Sequence, residues 1–564
     1  MTYEAAVARL TGKGGPFEIV EAEVLGGSSR VFKNAPPSLR TLFDGARRRG
    51  DETFLVFEDE RWSFARVMAE VDAIAALLVG RYGVAPGDRV AIAMRNFPEW
   101  IATFAAVTSI GAIAVALNGW WTTDELAFGL SDSGAKVVVA DEERSLRIAP
   151  ALASLPGLRV VAVRSERELP AGIDRLRDVL RPGATMPVVD VAPDADATIL
   201  YTSGTTGRPK GALSTHRAVL SALMAFACRA AVRAELKPEE RGSHPYPPCF
   251  ILTVPLFHVT GLVPVMLSAF ASGTKLVMMY KWSPERALEL IERERVTIFV
   301  GVPTMSFDLL ESPDFARRDT SSLLSVGGGG APAPPELVRR IDKSFARGKP
   351  GIGYGMTETN AYGPQNQAED YLRKPKSAGR VIPIVEVRVT DDAGRVLPRG
   401  EAGEIWFRGP NLIRGYWKRP DATAETIVGG WLRTGDIGRL DDEGFVTVED
   451  RAKDMVLRAG ENVYCAEVEA AIHEHPAVHE CAVFGLPHER LGEEVAVAVL
   501  PRRGEALDEN ALRSFLDGRV APFKIPSRVF LVDAALPRNA AGKILKRALR
   551  DAVAAGEAIP KSAE

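Results

Sequence analysis

A loop of small hydroxyl residues and glycines, YTSGTTGRPKG at positions 201–211, has the chemistry to bind a phosphate chain. Serine and threonine hydroxyls and backbone N–H groups donate hydrogen bonds to anionic oxygens, and Lys210 adds a positive charge. The loop follows an apolar run at 197–200 and precedes a helical run from about Arg217. It is not a Walker A loop, because Lys210 is followed by glycine and the glycine spacing differs. A generic surface loop is the weaker interpretation of this string.

Two further segments combine glycines with side chains that suit a nucleotide. In GYGMTET at 353–359, an aromatic face suits a base, a hydroxyl suits an oxyanion, and the carboxylate of Glu358 suits a hard cation. In WLRTGD at 431–436, the carboxylate of Asp436 is an acceptor for a vicinal diol. A turn or a helix cap would explain either segment alone, so their meaning depends on the rest of the chain.

A glycine-rich segment, GGGGAP at 327–332, and a C-terminal segment, PRNAAGK at 537–543, complete the set. Missing side chains at 327–330 let a ligand approach the backbone, and the strand-like run at 323–326 favours an ordered strand–loop junction over a flexible linker. An isolated lysine near a terminus is usually a solvated charge, so Lys543 becomes a candidate only through its context.

In their order along the chain, 201–211, 327–332, 353–359, 431–436 and 537–543, the five segments resemble those of the adenylate-forming superfamily of acyl-CoA synthetases, amino-acid adenylation domains and luciferases. They are most similar to those of fatty acyl-CoA synthetases, and the resemblance extends along nearly the whole chain. It implies an AMP-forming carboxylic acid–CoA ligase that makes an acyl-adenylate, releases pyrophosphate and passes the acyl group to coenzyme A. ATP, Mg²⁺, coenzyme A and a small-molecule carboxylic acid are the implied ligands.

The resemblance implies a role for each site residue. Phosphate contacts are implied for Thr202, Ser203, Gly204, Thr205, Thr206, Gly207 and Lys210. Adenine and ribose contacts are implied for Gly329, Gly330, Ala331, Pro332, Tyr354, Gly355, Met356, Asp436 and Arg451. The implied catalytic residues are Lys543, Thr357 as a phosphate contact and Glu358 as the Mg²⁺ ligand. The acyl pocket would be lined by His258, Val259, Thr260 and Gly261, with Lys453 as the hinge and Gly460 and Glu461 on the CoA side.

Four residues at three sites depart from the family pattern. Asp450 stands where most members have glycine, and we expect this change to matter little. The segment 458–460 reads Arg-Ala-Gly instead of Ser-Gly-Gly, which alters the predicted CoA side. Cys465 replaces a common proline and is interpreted as a structural thiol, not a covalent catalyst.

The implied chemistry needs no side-chain nucleophile and no general base. A carboxylate must attack the α-phosphorus of ATP, so the obstacle is repulsion between two anions. Catalysis should therefore consist of positioning and charge neutralisation, assigned to Lys543, to Mg²⁺ with Glu358 and to the loop at 202–210.

Related activities are less consistent with the sequence. Amino-acid activation would need an aspartate near 257–261 (FHVTG) and a following carrier segment, and neither is present. An acyl-AMP ligase that hands its product to a carrier protein would carry an insertion before the hinge, whereas 404–449 is short. An inactive ATP sensor is disfavoured because Glu358, Asp436 and Lys543 are all retained.

The acid is predicted from the small residues near the pocket. Thr260, Gly261, the glycines at 327–330 and Gly363 suggest an open pocket for a medium- or long-chain fatty acid or another bulky apolar acid. An aryl acid is the alternative, and acetate is disfavoured.

Strand-like and helical runs alternate up to about residue 390, as in RVAIAM at 89–94 and AKVVVA at 135–140, which predicts an α/β fold with mainly parallel sheets. Alternating patterns and turns then predict a small barrel-like β subdomain at about 381–450. We predict an N-terminal ATP- and acyl-binding domain at 1–450, a hinge at 451–454 and a smaller mobile α+β C-terminal domain at 455–564.

The composition and charge disfavour several other classes. A net charge of −3 without a basic arm gives no support for nucleic-acid binding. Four cysteines without a CxxC pair, and no apolar targeting core at the N-terminus, predict a reduced, cytoplasmic protein. The apolar stretches at 101–117 and 251–271 are interpreted as buried core, although peripheral membrane contact is left open, as is the oligomeric state. His473, His475 and His479 lack zinc-site spacing, so no zinc site is predicted.

Overall fold

The computed structural model describes residues 1–24, 26–202, 209–240, 242, 244–451, 454–458, 461–539 and 542–561. Two eight-stranded sheets, a five-stranded antiparallel sheet and a five-stranded C-terminal sheet form the framework, with helices packed on them. The predicted α/β class, with mainly parallel sheets and a separate C-terminal domain, is confirmed.

The strands are β1 (Ile19–Val24), β2 (Gly27–Phe32), β3 (Thr53–Phe57), β4 (Glu60–Ser63), β5 (Arg89–Ala93), β6 (Ile113–Ala116), β7 (Val137–Asp141), β8 (Arg159–Val163), β9 (Ile173–Arg175), β10 (Asp196–Thr202), β11 (Lys210–Thr215), β12 (Cys249–Leu252), β13 (Lys275–Met278), β14 (Ile298–Gly301), β15 (Ser325–Gly329), β16 (Lys349–Gly353), β17 (Gln365–Gln367), β18 (Glu386–Thr390), β19 (Gly403–Arg408), β20 (Gly415–Tyr416), β21 (Ile427–Val428), β22 (Trp431–Leu440), β23 (Val446–Arg451), β24 (Val456–Arg458), β25 (Glu461–Val463), β26 (Val478–His488), β27 (Gly492–Pro501) and β28 (Arg528–Leu531).

The α-helices are α1 (Tyr3–Thr11), α2 (Leu39–Ala46), α3 (Phe64–Gly80), α4 (Pro98–Ser109), α5 (Thr123–Ser133), α6 (Glu142–Ile148), α7 (Leu176–Val179), α8 (His216–Leu236), α9 (Ser268–Ser272), α10 (Pro284–Glu294), α11 (Pro303–Glu311), α12 (Pro335–Ser344), α13 (Ala368–Arg373), α14 (Pro420–Thr426), α15 (Cys465–Ile472), α16 (Glu509–Leu516) and α17 (Lys546–Ala554). Short 3-10 turns include Thr357–Thr359, and Gly261–Leu267 is a π-helical segment.

Local sequence explains where these helices begin and end. Helix α5, for example, starts at a capping box in which Thr122 and Glu125 each bond the other's backbone N–H, at 3.4 and 2.8 Å. It ends at Gly134, whose φ of 64° is left-handed.

The first sheet has the strand order β20-β11-β10-β6-β5-β7-β8-β9. Strands β10, β6, β5, β7, β8 and β9 run parallel, whereas β11 is antiparallel to both β10 and β20. The glycine-rich loop after Thr202 therefore joins two antiparallel strands, and Thr202 lies opposite Lys210. Strand β11 between the loop and helix α8 was not anticipated from the sequence.

The second sheet has the order β17-β16-β15-β14-β12-β13-β3-β4 and is parallel except at its two edges. The carboxyl ends of β12, β14, β15 and β16 lie at one edge of this sheet. Ligands of open α/β sheets bind beyond the carboxyl ends of such strands. Tyr354 and the segment at 330–332 follow two of these strands directly.

The third sheet is antiparallel, in the order β18-β19-β22-β21, with β23 paired to β22. Asp436 in β22 and Arg451 at the end of β23 are opposite each other in this pairing. The fourth sheet, β25-β24-β27-β26 with β28 beside β27, forms the C-terminal domain together with helices α15, α16 and α17.

The two apolar stretches of the sequence are core elements. The segment at 101–117 forms most of α4 and then β6, and 251–271 forms part of β12, the π-helical segment and most of α9. Every named core side chain of α4, such as Trp100 and Phe104, is fully buried. Burial of a large apolar side chain such as Phe104 contributes roughly 1.5–3 kcal/mol. In the described ranges, no helix has the length and apolar character needed to span a membrane.

Gly379 packs against the backbone of β17, the strand next to β16 in the second sheet. Its φ is 101°, and a Cβ there would lie 1.9 Å from the carbonyl oxygen of Gln365 in β17. We expect Gly379→Ala to lower the free energy of unfolding by about 3 kcal/mol or more, since overlap adds to the left-handed strain of about 1–2 kcal/mol. Gly444→Ala is the control, because Gly444 has φ 79° but no atom within 4 Å of its Cβ position. Equal shifts of the melting temperature in the two variants would contradict the overlap.

Candidate active site

Three chain segments meet beyond the carboxyl ends of β14, β15 and β16. Val302 follows β14, the segment at 330–332 follows β15, and Tyr354 follows β16. Gly330 and Pro332 are exposed, whereas Gly329 and Ala331 are half-buried. The predicted adenine-side residues are thus brought to one edge by parallel strand order.

Asp436, which is predicted to bind the ribose, interacts with two side chains. The hydroxyl of Tyr354 donates to Asp436 Oδ2 at 2.5 Å, and Arg451 Nε lies 3.2 Å from Oδ1. Asp436 is 4% exposed. Burial, with Asp436 alongside, raises the pKa of Tyr354, so this phenol stays a neutral donor. Each carboxylate oxygen has a second lone pair, so Asp436 can still accept from a diol.

The predicted Mg²⁺ ligand, Glu358, has a partner that the sequence did not reveal. The hydroxyl of Tyr416 donates to Glu358 Oε1 at 2.7 Å, and Lys210 Nζ lies 5.2 Å from the centroid of the Tyr416 ring. Burial and Glu358 raise the pKa of Tyr416, which keeps its proton. Tyr416 therefore connects the phosphate loop to the carboxylate, through the pairing of β20 with β11.

The residues between Tyr354 and Glu358 form a tight turn. Gly355 lies where a Cβ would be 2.2 Å from the carbonyl oxygen of Ala361, so only glycine fits there without a backbone shift. Met356 accepts from and donates to the Thr359 hydroxyl through its backbone, and Thr357 begins the 3-10 turn. The predicted phosphate contact Thr357 and the predicted Mg²⁺ ligand Glu358 therefore lie next to each other in one short turn.

Lys543 is brought to this site by the C-terminal domain. It is half-buried and lines an interdomain cavity of about 150 Å³ together with Val302, Ala331 and Pro332. A Cβ on the preceding Gly542 would lie 3.0 Å from Val302, so the two domains are in close contact here. Burial, with the charge of Arg451, lowers the pKa of Lys543 to about 8, although Asp436 and Asp454 oppose that shift.

The phosphate loop is described only at its ends. Thr202 Oγ1 donates to the carbonyl oxygen of Lys210 at 3.3 Å. Ser203, Gly204, Thr205, Thr206 and Gly207 lie outside the described residues, as do the predicted hinge residue Lys453 and the CoA-side residue Gly460.

The predicted acyl-pocket residues follow β12. Burial lowers the pKa of His258 to about 4, so its imidazole is neutral, and its Nε2 has no hydrogen-bond partner in the described part of the chain. Val259 is buried and Thr260 half-buried. Gly261 does not open a pocket, because a Cβ there would lie 2.4 Å from the carbonyl oxygen of Pro255.

Gly363 likewise packs against backbone, since its Cβ position is 2.4 Å from the carbonyl oxygen of Tyr354. The expectation that Gly261 and Gly363 create open space was therefore wrong: their missing side chains are required by packing. Gly328 and Gly330 do leave space, with no atom closer than 3.8 Å to either Cβ position.

The predicted CoA-side residue Glu461 is exposed and lies in β25, opposite Arg458 in β24. His473, His475 and His479 have separate partners, which are Phe307 for His473, Phe515 for His475 and Glu311 for His479. No cluster of three metal-ligating side chains occurs among residues with described positions.

Comparison with known proteins identifies the family. The model for the AMP-binding enzyme family matches residues 42–417, and that for the AMP-binding enzyme C-terminal domain matches residues 467–543. The chain belongs to the AMP-binding enzyme family. The predicted resemblance to adenylate-forming enzymes is confirmed.

Relatives of this AMP-binding enzyme differ in the acid that they are named for. The long-chain-fatty-acid–CoA ligase FadD13 of Mycobacterium tuberculosis is 36% identical over 513 residues, covering 89% of this chain and 95% of that protein. The feruloyl-CoA synthase of an Amycolatopsis species is 37% identical over 470 residues, covering 83% and 89%. The structure of ATP-bound MatB from Rhodopseudomonas palustris has a TM-score of 0.78 at 31% identity, covering 92% and 99%. This AMP-binding enzyme is an acyl-CoA synthetase.

Removal of the Tyr416 hydroxyl tests whether this group orients the carboxylate of Glu358. We expect Tyr416→Phe to slow pyrophosphate release by about tenfold and to raise the Mg²⁺ concentration required, because a hydrogen bond to a charged group contributes roughly 1.5–3 kcal/mol. Tyr371→Phe is the matched control, since the buried Tyr371 hydroxyl has no partner within the described residues. Equal Mg²⁺ dependence in both variants would argue against an orienting role for Tyr416.

The lowered pKa of Lys543 predicts how the rate of pyrophosphate release depends on pH. Its ammonium is present below a pH of about 8 and is lost above it, so kcat/KM for pyrophosphate release should fall above that pH. In a Lys543→Arg variant that keeps measurable activity, the falling limb should move to higher pH, since guanidinium stays protonated. A limb at the same pH in both proteins would assign it to another group.

Proposed function

We propose that this enzyme converts a carboxylic acid to its acyl-CoA through an acyl-adenylate, using ATP and releasing AMP and pyrophosphate. One observation carries the proposal: the half-buried Lys543 of the C-terminal domain lines the interdomain cavity with Ala331 and Pro332, where the charges of Arg451 and Asp436 act on it. An ammonium in that position can reach two anions bound at the domain junction. The ATP bound to MatB and the CoA-ligase names of the sequence relatives support the same ligands.

In the first half-reaction, an oxygen of the acid carboxylate forms a bond to the α-phosphorus of ATP. The bond from that phosphorus to the bridging oxygen breaks, and pyrophosphate leaves with the electron pair. Lys543 neutralises charge on the carboxylate and the α-phosphate, and Lys210 with Thr202 to Gly207 holds the β- and γ-phosphates. Tyr354, Asp436, Arg451 and the segment at 329–332 orient the nucleoside, with Gly355 and Met356 beside it.

The residues fit a Mg²⁺ ion held largely by the nucleotide. Glu358 offers a hard carboxylate whose Oε1 is oriented by Tyr416, and no larger set of protein ligands surrounds it in the described ranges. Mg²⁺ is commonly held by one or two carboxylates plus substrate phosphates. When bound, it would supply positive charge at the phosphates, while Thr357 donates to a phosphate oxygen.

In the second half-reaction, the CoA sulfur bonds to the acyl carbon, the bond to the AMP oxygen breaks, and the thiol proton is released. Lys543 has no role in this step. We propose that the C-terminal domain, 455–564, then turns relative to 1–450 about the hinge at 451–454 with Lys453, and that Gly460 and Glu461 approach CoA. The exposure of Glu461 on its hairpin is compatible with such a role.

The acid is proposed to be a medium- or long-chain fatty acid or another bulky apolar acid. Neutral His258, buried Val259 and the open positions at Gly328 and Gly330 would suit an apolar group. FadD13 favours a fatty acid, and feruloyl-CoA synthase favours an aryl acid as the second candidate. Transfer to a carrier protein is a further alternative.

The test measures the two half-reactions separately. With a panel of fatty and aryl acids, ATP and Mg²⁺, the enzyme should release pyrophosphate, and the fastest acid should also yield a thioester with CoA. Lys543→Ala should lower pyrophosphate release by more than about a hundredfold, comparable with loss of other charge-stabilising donors, yet keep thiolysis of supplied acyl-adenylate.

Lys561→Ala is the control, because Lys561 is an exposed lysine of the same domain, paired with Asp533. Pyrophosphate release that is unchanged by Lys543→Ala would disprove the assigned role. No release with any acid would disprove the reaction, and adenylate without thioester would favour the carrier-protein alternative.

A further inference from the structure

The carboxylate of Asp450 connects the two domains next to the predicted hinge. Asp450 lies in β23, where it pairs with Ile437 of β22 in the large domain. Its Oδ1 accepts from the N–H of Arg451 at 2.8 Å, and its Oδ2 accepts from the N–H of Cys465, the first residue of α15 in the C-terminal domain. The buried side chain of Asp450 thus accepts hydrogen bonds from the residues that precede and follow the segment at 452–464.

The N–H of residue 465 can donate to Asp450 only because this residue is cysteine and not proline, which has no N–H. The N–H groups at the start of a helix have no partner within the helix, and the N-cap residue Tyr464 makes no side-chain cap. Asp450 therefore caps α15 from the other domain. The aspartate at 450 and the cysteine at 465 depart from the family pattern separately in the sequence, but in the structure they form a single contact. This contact gives Asp450 a role that the expectation of little effect did not include.

A positive charge supports this contact from within the C-terminal domain. Lys546 Nζ lies 2.7 Å from Glu469, and its charge also acts on Asp450. Burial raises the pKa of Asp450, and Lys546 with the two N–H groups offsets that effect only in part. Asp450 is 8% exposed and Cys465 is fully buried, so little water competes for the bond. The thiol makes a different contact, with the carbonyl oxygen of Asp454 at 3.1 Å.

We propose that Asp450 is a positioning residue whose bond to the Cys465 N–H holds the C-terminal domain in the orientation that places Lys543 at the nucleotide site. The inference rests on the proposed two-step function, in which this domain turns between the half-reactions. Because Asp450 and Cys465 lie on opposite sides of the hinge, the turn breaks their bond. The bond therefore favours adenylate formation over thiolysis.

Two substitutions remove the same bond from its two ends. Asp450→Ala removes the acceptor, and Cys465→Pro removes the donor at a first-turn helix position where proline is well tolerated. Tyr464 precedes it with φ −79° and ψ 112°, which suits a residue before proline. Cys465→Ala keeps the N–H and removes only the thiol. Asp450→Leu keeps a similar side-chain shape and offers no acceptor, so it replaces the alanine variant if that variant fails to fold.

The matched control is Asp508→Ala. Asp508 caps α16 by accepting from the N–H of Ala511 at 2.8 Å, and both residues belong to the C-terminal domain. Like α15, α16 has eight residues, so the control removes a comparable cap without touching the domain junction.

Domain orientation is measured in the full-length free enzyme by the distance between spin labels at Val188→Cys and Ala506→Cys. Both positions are exposed, whereas all four native cysteines are buried. We expect Asp450→Ala and Cys465→Pro to shift the ratio of the two orientations by about tenfold or more, as loss of a hydrogen bond to a charged group implies. The double variant should shift it no further, and Asp508→Ala and Cys465→Ala should leave it unchanged.

The half-reactions give a second readout, with the acid that releases pyrophosphate fastest. Both bond-removing variants should slow pyrophosphate release while thiolysis of the supplied acyl-adenylate is unchanged or faster. The proposal would be overturned if Asp450→Ala and Cys465→Pro changed neither the domain orientation nor the ratio of the two half-reaction rates. It would also be overturned if Asp508→Ala had an equal effect, or if the effects of the two substitutions added up in the double variant. The distance measurement needs no turnover, so it still tests Asp450 if the proposed reaction itself proves wrong.

Discussion

A positive charge on one domain completes a site that is built by another. Lys543 is half-buried near Arg451, and the removal of water together with this like charge makes its protonated form costly, as its lowered pKa shows. Anions bound at the junction would relieve that cost, since opposite charges attract strongly where water is scarce. The ammonium therefore favours bound anions, and its placement depends on how the C-terminal domain lies against the large domain.

The large domain contributes fixed geometry to this arrangement. Parallel strand order brings Val302, the segment at 330–332 and Tyr354 to one edge, and a tight turn then directs Glu358. Neutral phenols orient both key carboxylates: Tyr354 donates to Asp436, and Tyr416 donates to Glu358. A carboxylate held by a buried donor keeps its direction without a ligand, so less conformational entropy is lost on binding.

Polar contacts, one of them a helix cap, cross the junction between the domains beside the ring contact of Phe307 with His473. Glu311 of α11 pairs with His479 and Arg502, and Asp450 bonds the first N–H of α15. Polar contacts of this kind are specific in direction and contribute less than a large apolar interface, and domains joined in this way generally move relative to each other. Such a junction suits the proposed function, in which Lys543 acts in the first half-reaction and not in the second.

The sequence alone determined the family, the α/β class and the order of the candidate segments, because phosphate- and nucleoside-binding loops are contiguous strings of particular residue types. The apolar runs at 89–94 and 135–140 also predicted the strands β5 and β7. Only the tertiary structure decided which distant residues meet. Tyr416 reaches Glu358 through the pairing of β20 with β11, Gly261 packs against Pro255 instead of opening a pocket, and Asp450 bonds Cys465 of the C-terminal domain. The choice of such partners depends on packing between segments far apart in the chain, and no local pattern of residues encodes it.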